Sequence, residues 1–331
     1  MKKNIIKKTF IKLCKILGYE IIDQNEFISP TLDKKLNENL SGIDKSIVLP
    51  LGEVKLSKKV KSLLIIFRTN SEVDIWDQNK KRLFEQPKTE YVIRCLNSLL
   101  KSTNFLKKNN KNIDLEFKII DSSLKKENWG TILDLGKKLN VKIDIIKHEI
   151  TEHKNLIKDQ ANKGTFSNLS SLLKCYEIGK DTNKDLIYFV EDDYLHFETA
   201  LNEMIATYER ISSQLQKDLF ICPSDYPFLY MANNKSNILI GSERHWQTTT
   251  KTLCTFMVSR SFLMKYWDNF YKNCLERHEP FEKHINAIFE KEICISPIKS
   301  LAIHLTNVNS SYGLSPFIDY KLLWDENKVD S

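Results

Sequence analysis

The chain has 331 residues, room for one large α/β domain or two modest ones. A 41% hydrophobic fraction with 17 Phe, 12 Tyr and 5 Trp excludes disorder as a whole-chain description, and 9 Gly and 8 Pro exclude a collagen-like or linker-rich chain. The net charge of +7 comes from 50 basic against 43 acidic residues, nearly all the basic ones lysine, which argues for a solvated surface and against nucleic acid as a partner.

Residues 3–17 place Ile5, Ile6, Phe10, Ile11, Leu13, Ile16 and Leu17 near one helical face, ringed by lysines. Such a basic amphipathic helix either lies on an anionic membrane through residues 2–17 or packs on its own domain or a partner. Lys7, Lys8, Lys12 and Lys15 break any signal-peptide core, and no run of eighteen apolar residues occurs anywhere. Residues 23–57 are rich in turn and polar residues and read as a connecting arm, so 1–57 stands apart. The seven cysteines are dispersed with no CxxC pair, which fits reduced thiols and a cytoplasmic location.

From residue 58 strands and helices alternate. Strands are expected at Ser62–Phe67, Leu115–Ile120, Val141–Ile146 and Leu186–Val190. Helices are expected at Glu85–Lys107, at Trp129–Leu139, and at Thr165–Gly179 with Gly179 as its cap. This alternation predicts a Rossmann-type, mostly parallel sheet flanked by helices, with the ligand beyond the carboxyl ends of the strands. Further strand-like runs are Leu219–Ile221, Leu253–Val258 and Ser300–Thr306.

The sharpest feature is Leu186–Val190 running into Glu191, Asp192 and Asp193. Three adjacent anions at the end of a buried strand repel one another unless a cation screens them. Oxygen ligands of this kind suit Mg²⁺ or Mn²⁺, which bridge carboxylates to a diphosphate. In an extended segment Glu191 and Asp193 share one side. An acidic turn capping the next helix is the structural alternative.

A strand, an E/D-x-D motif and a following helix inside an N-terminal nucleotide-binding α/β half resemble the GT-A-type glycosyltransferases, over roughly residues 60–310. The resemblance implies that Asp193 ligates the metal, with Glu191 and Asp192 supporting it toward the ribose and metal-bound water. It assigns 58–195 to the nucleotide-sugar donor, a UDP-sugar first, and 196–315 to a glycan or lipid-linked acceptor. Residues 316–331 remain as a tail. Arg68, Thr69 and Asn70, together with Asp121 and Lys163, are expected around the nucleotide. His304 would complete the metal site; its alternative is an ordinary core histidine. Arg244, His245 and Trp246 are expected at the acceptor, Trp246 either stacking on a sugar ring or packing. Glu279, then Glu282, then Asp225, are the candidates for the base that deprotonates the acceptor hydroxyl. The segment 307–313 is expected to close over bound donor.

The implied activity is transfer of a sugar to a hydroxyl in bacterial-type surface glycan synthesis, at the inner face of the membrane if the basic helix binds there. A sugar-phosphate nucleotidyltransferase is the second reading, disfavoured because Ser71–Lys81 contains no glycine. A non-enzymatic basic binding protein is the third, and it leaves the three carboxylates unexplained.

Overall fold

The computed structural model describes residues 2–19, 21, 45–48, 52–70, 83–123, 126–231, 235–306 and 308–329. They belong to two compact units, Met1–Val54 and Lys55–Ser331. In the first, helix α1 spans Lys2–Ile16, and strands β1 (Lys45–Val48) and β2 (Gly52–Lys55) pair as a two-stranded sheet. Ile6, Phe10, Leu13 and Leu17 recur at helical spacing and each exposes more than half its surface. The two strands stand within the expected arm; four-residue segments are too short for a period-2 pattern to show. Most of the rest of 23–57, and all of Ser71–Lys81, lie outside the described residues.

The second unit opens with β3 (Ser62–Thr69), α2 (Lys88–Asn109), β4 (Asp114–Asp121), α3 (Lys126–Lys138) and β5 (Ile143–Lys147). A 3₁₀ turn, Ile150–His153, leads to α4 (Lys163–Asp181) and β6 (Leu186–Glu191). These strands lie in the order β5-β4-β3-β6, all parallel, which is the doubly wound arrangement. Leu63–Phe67 are fully buried because helices cover both faces of a parallel sheet, which explains the unbroken apolar run.

The second half begins with β7 (Tyr194–His196), α5 (Ala200–Leu215), β8 (Phe220–Ile221), α6 (Phe228–Met231), β9 (Ile238–Ile240), β10 (His245–Thr249) and β11 (Phe256–Ser259). Then follow α7 (Arg260–Lys265), α8 (Trp267–Asn273), α9 (Lys283–Phe289), β12 (Cys294–Ile298), β13 (Ala302–His304) and α10 (Tyr320–Glu326). The nine-stranded order is β5-β4-β3-β6-β11-β8-β12-β10-β9, with β11 antiparallel to both neighbours and β10 antiparallel to β12 and β9. Strands β7 and β13 form a separate antiparallel pair in which His304 lies opposite Tyr194. That pairing brings the chain near residue 304 back to the end of β6.

Three boundaries differ from expectation for physical reasons. Helix α2 starts at Lys88 because Pro87 is its N-cap and the residue before a proline disfavours helix. Strand β5 starts late because Asn140 adopts φ 53°, and Val141 N–H donates to Gly136 O at 2.8 Å to close α3. Gly179 does not cap α4 but lies inside it: a Cβ there would come within 2.8 Å of Phe189 Cζ and 3.1 Å of Leu263 Cδ2. The glycine lets α4 approach β6 closely. Residues 316–331, expected as a tail, contain α10, whose Trp324 stacks on Phe84 at 4.4 Å and lies under the Arg94 guanidinium at 4.4 Å.

Candidate active site

The polar ends of β3, β4 and β6 meet at one edge of the parallel sheet. Register sets the first contact: Arg68 of β3 lies opposite Glu191 of β6, and Thr69 lies opposite Asp121 of β4. Arg68 pairs with Glu191 and also donates to the Asn168 side chain and to Ser171 Oγ, the latter at 3.1 Å. Burial is the strongest single influence and opposes the charge on Arg68, but Glu191 together with Asp192 and other neighbours raises the guanidinium above its ordinary value. For Glu191 burial wins: the carboxyl is raised, with Asp193 adding repulsion and Arg68 pulling the other way.

After Glu191 the chain turns rather than continuing extended, so the three carboxylates take different partners. Asp192 Oδ2 accepts from Thr69 Oγ1 at 2.8 Å and from Asn70 N–H at 3.1 Å, while Oδ1 accepts from Lys88 Nζ. Both oxygens are therefore committed. Burial works against the Lys88 charge, yet Asp192 holds its ammonium above the usual lysine value. Lys88, in the first turn of α2, did not stand out in sequence; the only signal was a lysine directly after Pro87.

Asp193 faces His304. His304 Nε2 lies 3.1 Å from Asp193 Oδ2, and His304 Nδ1 lies 2.9 Å from the Tyr312 carbonyl. A carbonyl only accepts, so Nδ1 carries a proton and Nε2 is turned to the carboxylate. Tyr194 stacks on the imidazole at 5.1 Å, and Leu305 N–H donates to Asp193 O at 2.9 Å. Burial would raise the Asp193 carboxyl, but His304, aided by Lys88 and Thr306, holds it well below the usual carboxylate range. Burial correspondingly opposes charge on His304, and Asp193 outweighs it and raises the imidazole. Asp193 Oδ1 is buried and makes no hydrogen bond. Among the three acids this is the buried oxygen left with spare acceptor capacity, next to an imidazole whose far nitrogen is fixed by a backbone carbonyl. That donor set, one carboxylate oxygen and Nε2, fits a divalent ion such as Mn²⁺ or Mg²⁺ whose other ligands come from phosphate and water.

Around this pair the end of β4 and the start of α4 are polar. Asp121 is buried and accepts from Ser123 N–H at 3.1 Å, an Asx turn, while the Ser122 hydroxyl is buried without a hydrogen bond. Asn70 Nδ2 donates to Ser167 Oγ at 3.2 Å, and Ser123 Oγ donates to Asn70 Oδ1. Lys163 is exposed at the first position of α4, whose cap is Asn162, accepting from Thr165 N–H at 3.0 Å.

In the second half, Cys222–Tyr226 runs along β13. Leu301 N–H donates to Pro223 O at 2.8 Å, Ser224 Oγ donates to Ala302 O at 2.7 Å, and the Tyr226 and Tyr194 hydroxyls meet at 2.5 Å. Asp225 thus lies on the segment that backs the Asp193–His304 pair. Tyr230 OH donates to Asp225 Oδ2 at 2.5 Å and Gln247 Nε2 to Oδ1 at 3.4 Å. Burial, partly offset by those two donors, pushes the Asp225 carboxyl up to about 6.

The remaining expected residues fare differently. Trp246 does not present a stacking face: it is fully buried and donates from Nε1 to Glu203 Oε1 at 3.1 Å, because β10 turns its alternate side chains onto α5. Arg244 Nη1 donates to Lys299 O at 2.8 Å and Ser300 O at 3.3 Å, just before β13, and His245 is exposed. Glu279 is exposed, whereas Glu282 is half-buried and accepts from Cys254 Sγ at 3.8 Å, beside Thr255, whose Oγ1 accepts from Glu191 N–H at 3.0 Å. Within 307–313, Asn307 lies outside the described residues, and Tyr312 packs on Tyr226 and Phe228 while bonding His304.

No known protein family matches this chain, and no curated protein does. Solved structures similar to it include the galactosyltransferase LgtC in complex with donor and acceptor sugar analogues, at 8% identity and TM-score 0.34, covering 68% of this chain and 70% of that one. TarS residues 1–349 from S. aureus is similar at 14% identity and TM-score 0.41, over 73% of this chain and 59% of its own length. The apo structure of the bifunctional glycosyltransferase WbbM is similar at 9% identity and TM-score 0.35, over 67% of this chain and 36% of its own.

Proposed function

We propose that the chain is a metal-dependent glycosyltransferase, moving a sugar from a nucleotide-diphosphate donor, UDP-linked first, to a hydroxyl of a glycan or lipid-linked acceptor in surface glycan synthesis. The observation that carries this reading is the buried Asp193 Oδ1 without a hydrogen bond, beside His304 Nε2, at the strand ends where parallel sheets bind ligands. Asp193 and His304 would hold Mn²⁺ or Mg²⁺, with Glu191 at the edge of the same site. Such an ion, when bound, neutralises charge on a leaving diphosphate.

The chain's own residues divide the remaining work. Lys88, Thr69 and Asn70 hold Asp192 and so fix the turn that presents Asp193. Arg68 balances Glu191 and ties the β3–β6 edge to α4. Asn70, Asp121, Ser122 and the exposed Lys163 face the nucleotide in this reading, and the unsatisfied Ser122 hydroxyl is a donor waiting for a polar ligand. Residues 58–195 take the donor and 196–315 the acceptor, with Arg244 and His245 on the acceptor side. Asp225 is the base we favour: a carboxyl held near 6 is ionised at neutral pH yet basic enough to accept a hydroxyl proton. Glu282 follows and Glu279 comes last, being exposed.

The exposed apolar stripe of α1 suits an anionic membrane surface, where an amphipathic basic helix binds in the interface. Among the described residues no helix is long and apolar enough to cross a membrane. Flotation with phosphatidylglycerol vesicles, lost in Phe10→Glu, tests this part. For the activity, release of UDP from a panel of UDP-sugars with Mn²⁺ is expected from the wild type and not from a folded Asp193→Ala. Equal release by both proteins would contradict the assignment.

A further inference from the structure

Next to the end of β4, where His148 N–H donates to Asp121 O at 2.7 Å, the turn after β5 packs two histidines onto α4 around one serine. Ser170 Oγ lies 2.9 Å from Ile150 O, 2.9 Å from His148 Nε2 and 2.9 Å from His153 Nδ1. A hydroxyl has one proton and two lone pairs. The proton goes to the Ile150 carbonyl, which can only accept. Both lone pairs then accept from the imidazoles, so His148 carries its proton on Nε2 and His153 on Nδ1. Their other nitrogens face carboxylates: His148 Nδ1 lies 3.2 Å from Glu152 Oε2, and His153 Nε2 lies 3.1 Å from Glu177 Oε2. A neutral imidazole would turn a lone pair toward an anionic oxygen at hydrogen-bond distance, an arrangement that a cation between them resolves.

Three ligand atoms converge at this point. A nitrogen of His153 and one oxygen each from Glu152 and Glu177 lie within 4.8 Å of one another. His153 is 3% exposed. Ser170, Lys174 and Glu177 share one face of α4 at i, i+4 and i+7. Glu152 is held through Oε1 by Lys174, while its Oε2 lies 3.2 Å from His148 Nδ1. We propose that His153 Nε2, Glu177 and Glu152 form a divalent-cation site of the zinc class, with ligands distinct from the Asp193–His304 pair. Nitrogen and carboxylate oxygen are the ligand types zinc takes, and two ligands at about 2.1 Å from one ion stand about 3.4 Å apart in tetrahedral geometry, near the His153–Glu177 separation. The Ser170 hydroxyl is the outer partner that fixes the ligating tautomer. The ion clamps the Ile150–His153 turn to α4, the helix whose Asn168 and Ser171 hold Arg68.

The test uses the full chain, free of any affinity tag and stripped of metal, in an Asp193→Ala background that removes the crevice carboxylate. Calorimetric titration with Zn²⁺ is expected to show one saturating equivalent, with Tm rising by several degrees. Glu177→Gln, isosteric and half-exposed, and His153→Gln are each expected to weaken that binding at least tenfold. Circular dichroism confirms that each variant is folded before titration. Absence of saturable Zn²⁺ binding, or binding unchanged in folded Glu177→Gln, would overturn the proposal and leave protons between the histidines and the glutamates.

Discussion

Replacing Lys88 by methionine removes the cation that faces Asp192 while keeping most of the side-chain volume. The pair is well shielded, with side-chain exposures of 18% for Lys88 and 12% for Asp192. At an effective dielectric near 20, charges at contact distance interact by about 4 kcal/mol, and breaking a buried pair from one side typically costs about 3–5 kcal/mol. Asp192 keeps two donors, Thr69 Oγ1 at 2.8 Å and Asn70 N–H at 3.1 Å, which places the expected loss at the low end, about 3 kcal/mol. For a unit of this size that corresponds to a fall in Tm of roughly 6 °C. Urea denaturation of wild type, Lys88→Met, Asp192→Asn and the double variant completes a cycle, with an expected coupling above about 1.5 kcal/mol. A Lys88→Met loss below about 0.5 kcal/mol, the range of ordinary surface changes, would refute the claim that Asp192 is clamped from both sides.

Other consequences follow from packing and burial. Gly179→Ala should destabilise by about 1–3 kcal/mol in urea melts although alanine favours helix, because the added methyl meets Phe189 at 2.8 Å; a stabilised variant would mean that α4 can recede from β6. Trp246→Phe leaves Glu203 short of a donor and should cost about 1–3 kcal/mol without altering acceptor affinity; weakened acceptor binding at unchanged stability would restore the stacking role. For Asp225 the folded carboxyl titrates at about 6 against an unfolded value near 3.8, so the folded state binds the extra proton and stability falls as pH rises from about 4 to 6. Asp225→Asn removes that slope, so relative to wild type it should gain up to about 3 kcal/mol on going from pH 4 to pH 7.5, measured by urea denaturation at both; a pH-independent difference would count against the burial of this carboxyl.

The first half of the sheet was legible chiefly because its central strands, β3 and β6, are buried on both faces. An unbroken run such as Leu63–Phe67 followed by polar Thr69 and Asn70 announces both the strand and its ligand-facing end. The acidic turn could be read for the same reason. Which carboxylate is spare was implied by the family resemblance and not by the local pattern, since it depends on Thr69, Asn70 and Lys88, separated from Asp192 by more than a hundred residues. His304 was visible as a lone histidine in an apolar run, and its place beside Asp193 comes from the β7–β13 pairing, a non-local contact without a periodic signature. For Trp246 the sequence left stacking and packing open, because the glutamate that accepts its Nε1–H sits 43 positions earlier on α5 and only the fold shows that it packs. Gly179 misled because a glycine at a close helix–strand approach and a glycine at a helix cap look alike in sequence. The His148–Ser170–His153 cluster carries no spacing signal; it arises only when the turn after β5 folds onto α4.

The central claim is that Asp193, supported by His304, binds a donor diphosphate through a divalent ion. Calorimetric titration of UDP into metal-stripped protein, with and without Mn²⁺, tests it most directly. The account predicts UDP binding that needs Mn²⁺, with a stabilisation of about 2.7 kcal/mol at a hundredfold excess over Kd, abolished in a folded Asp193→Ala. UDP binding that ignores Mn²⁺, or that survives Asp193→Ala unchanged, would contradict it.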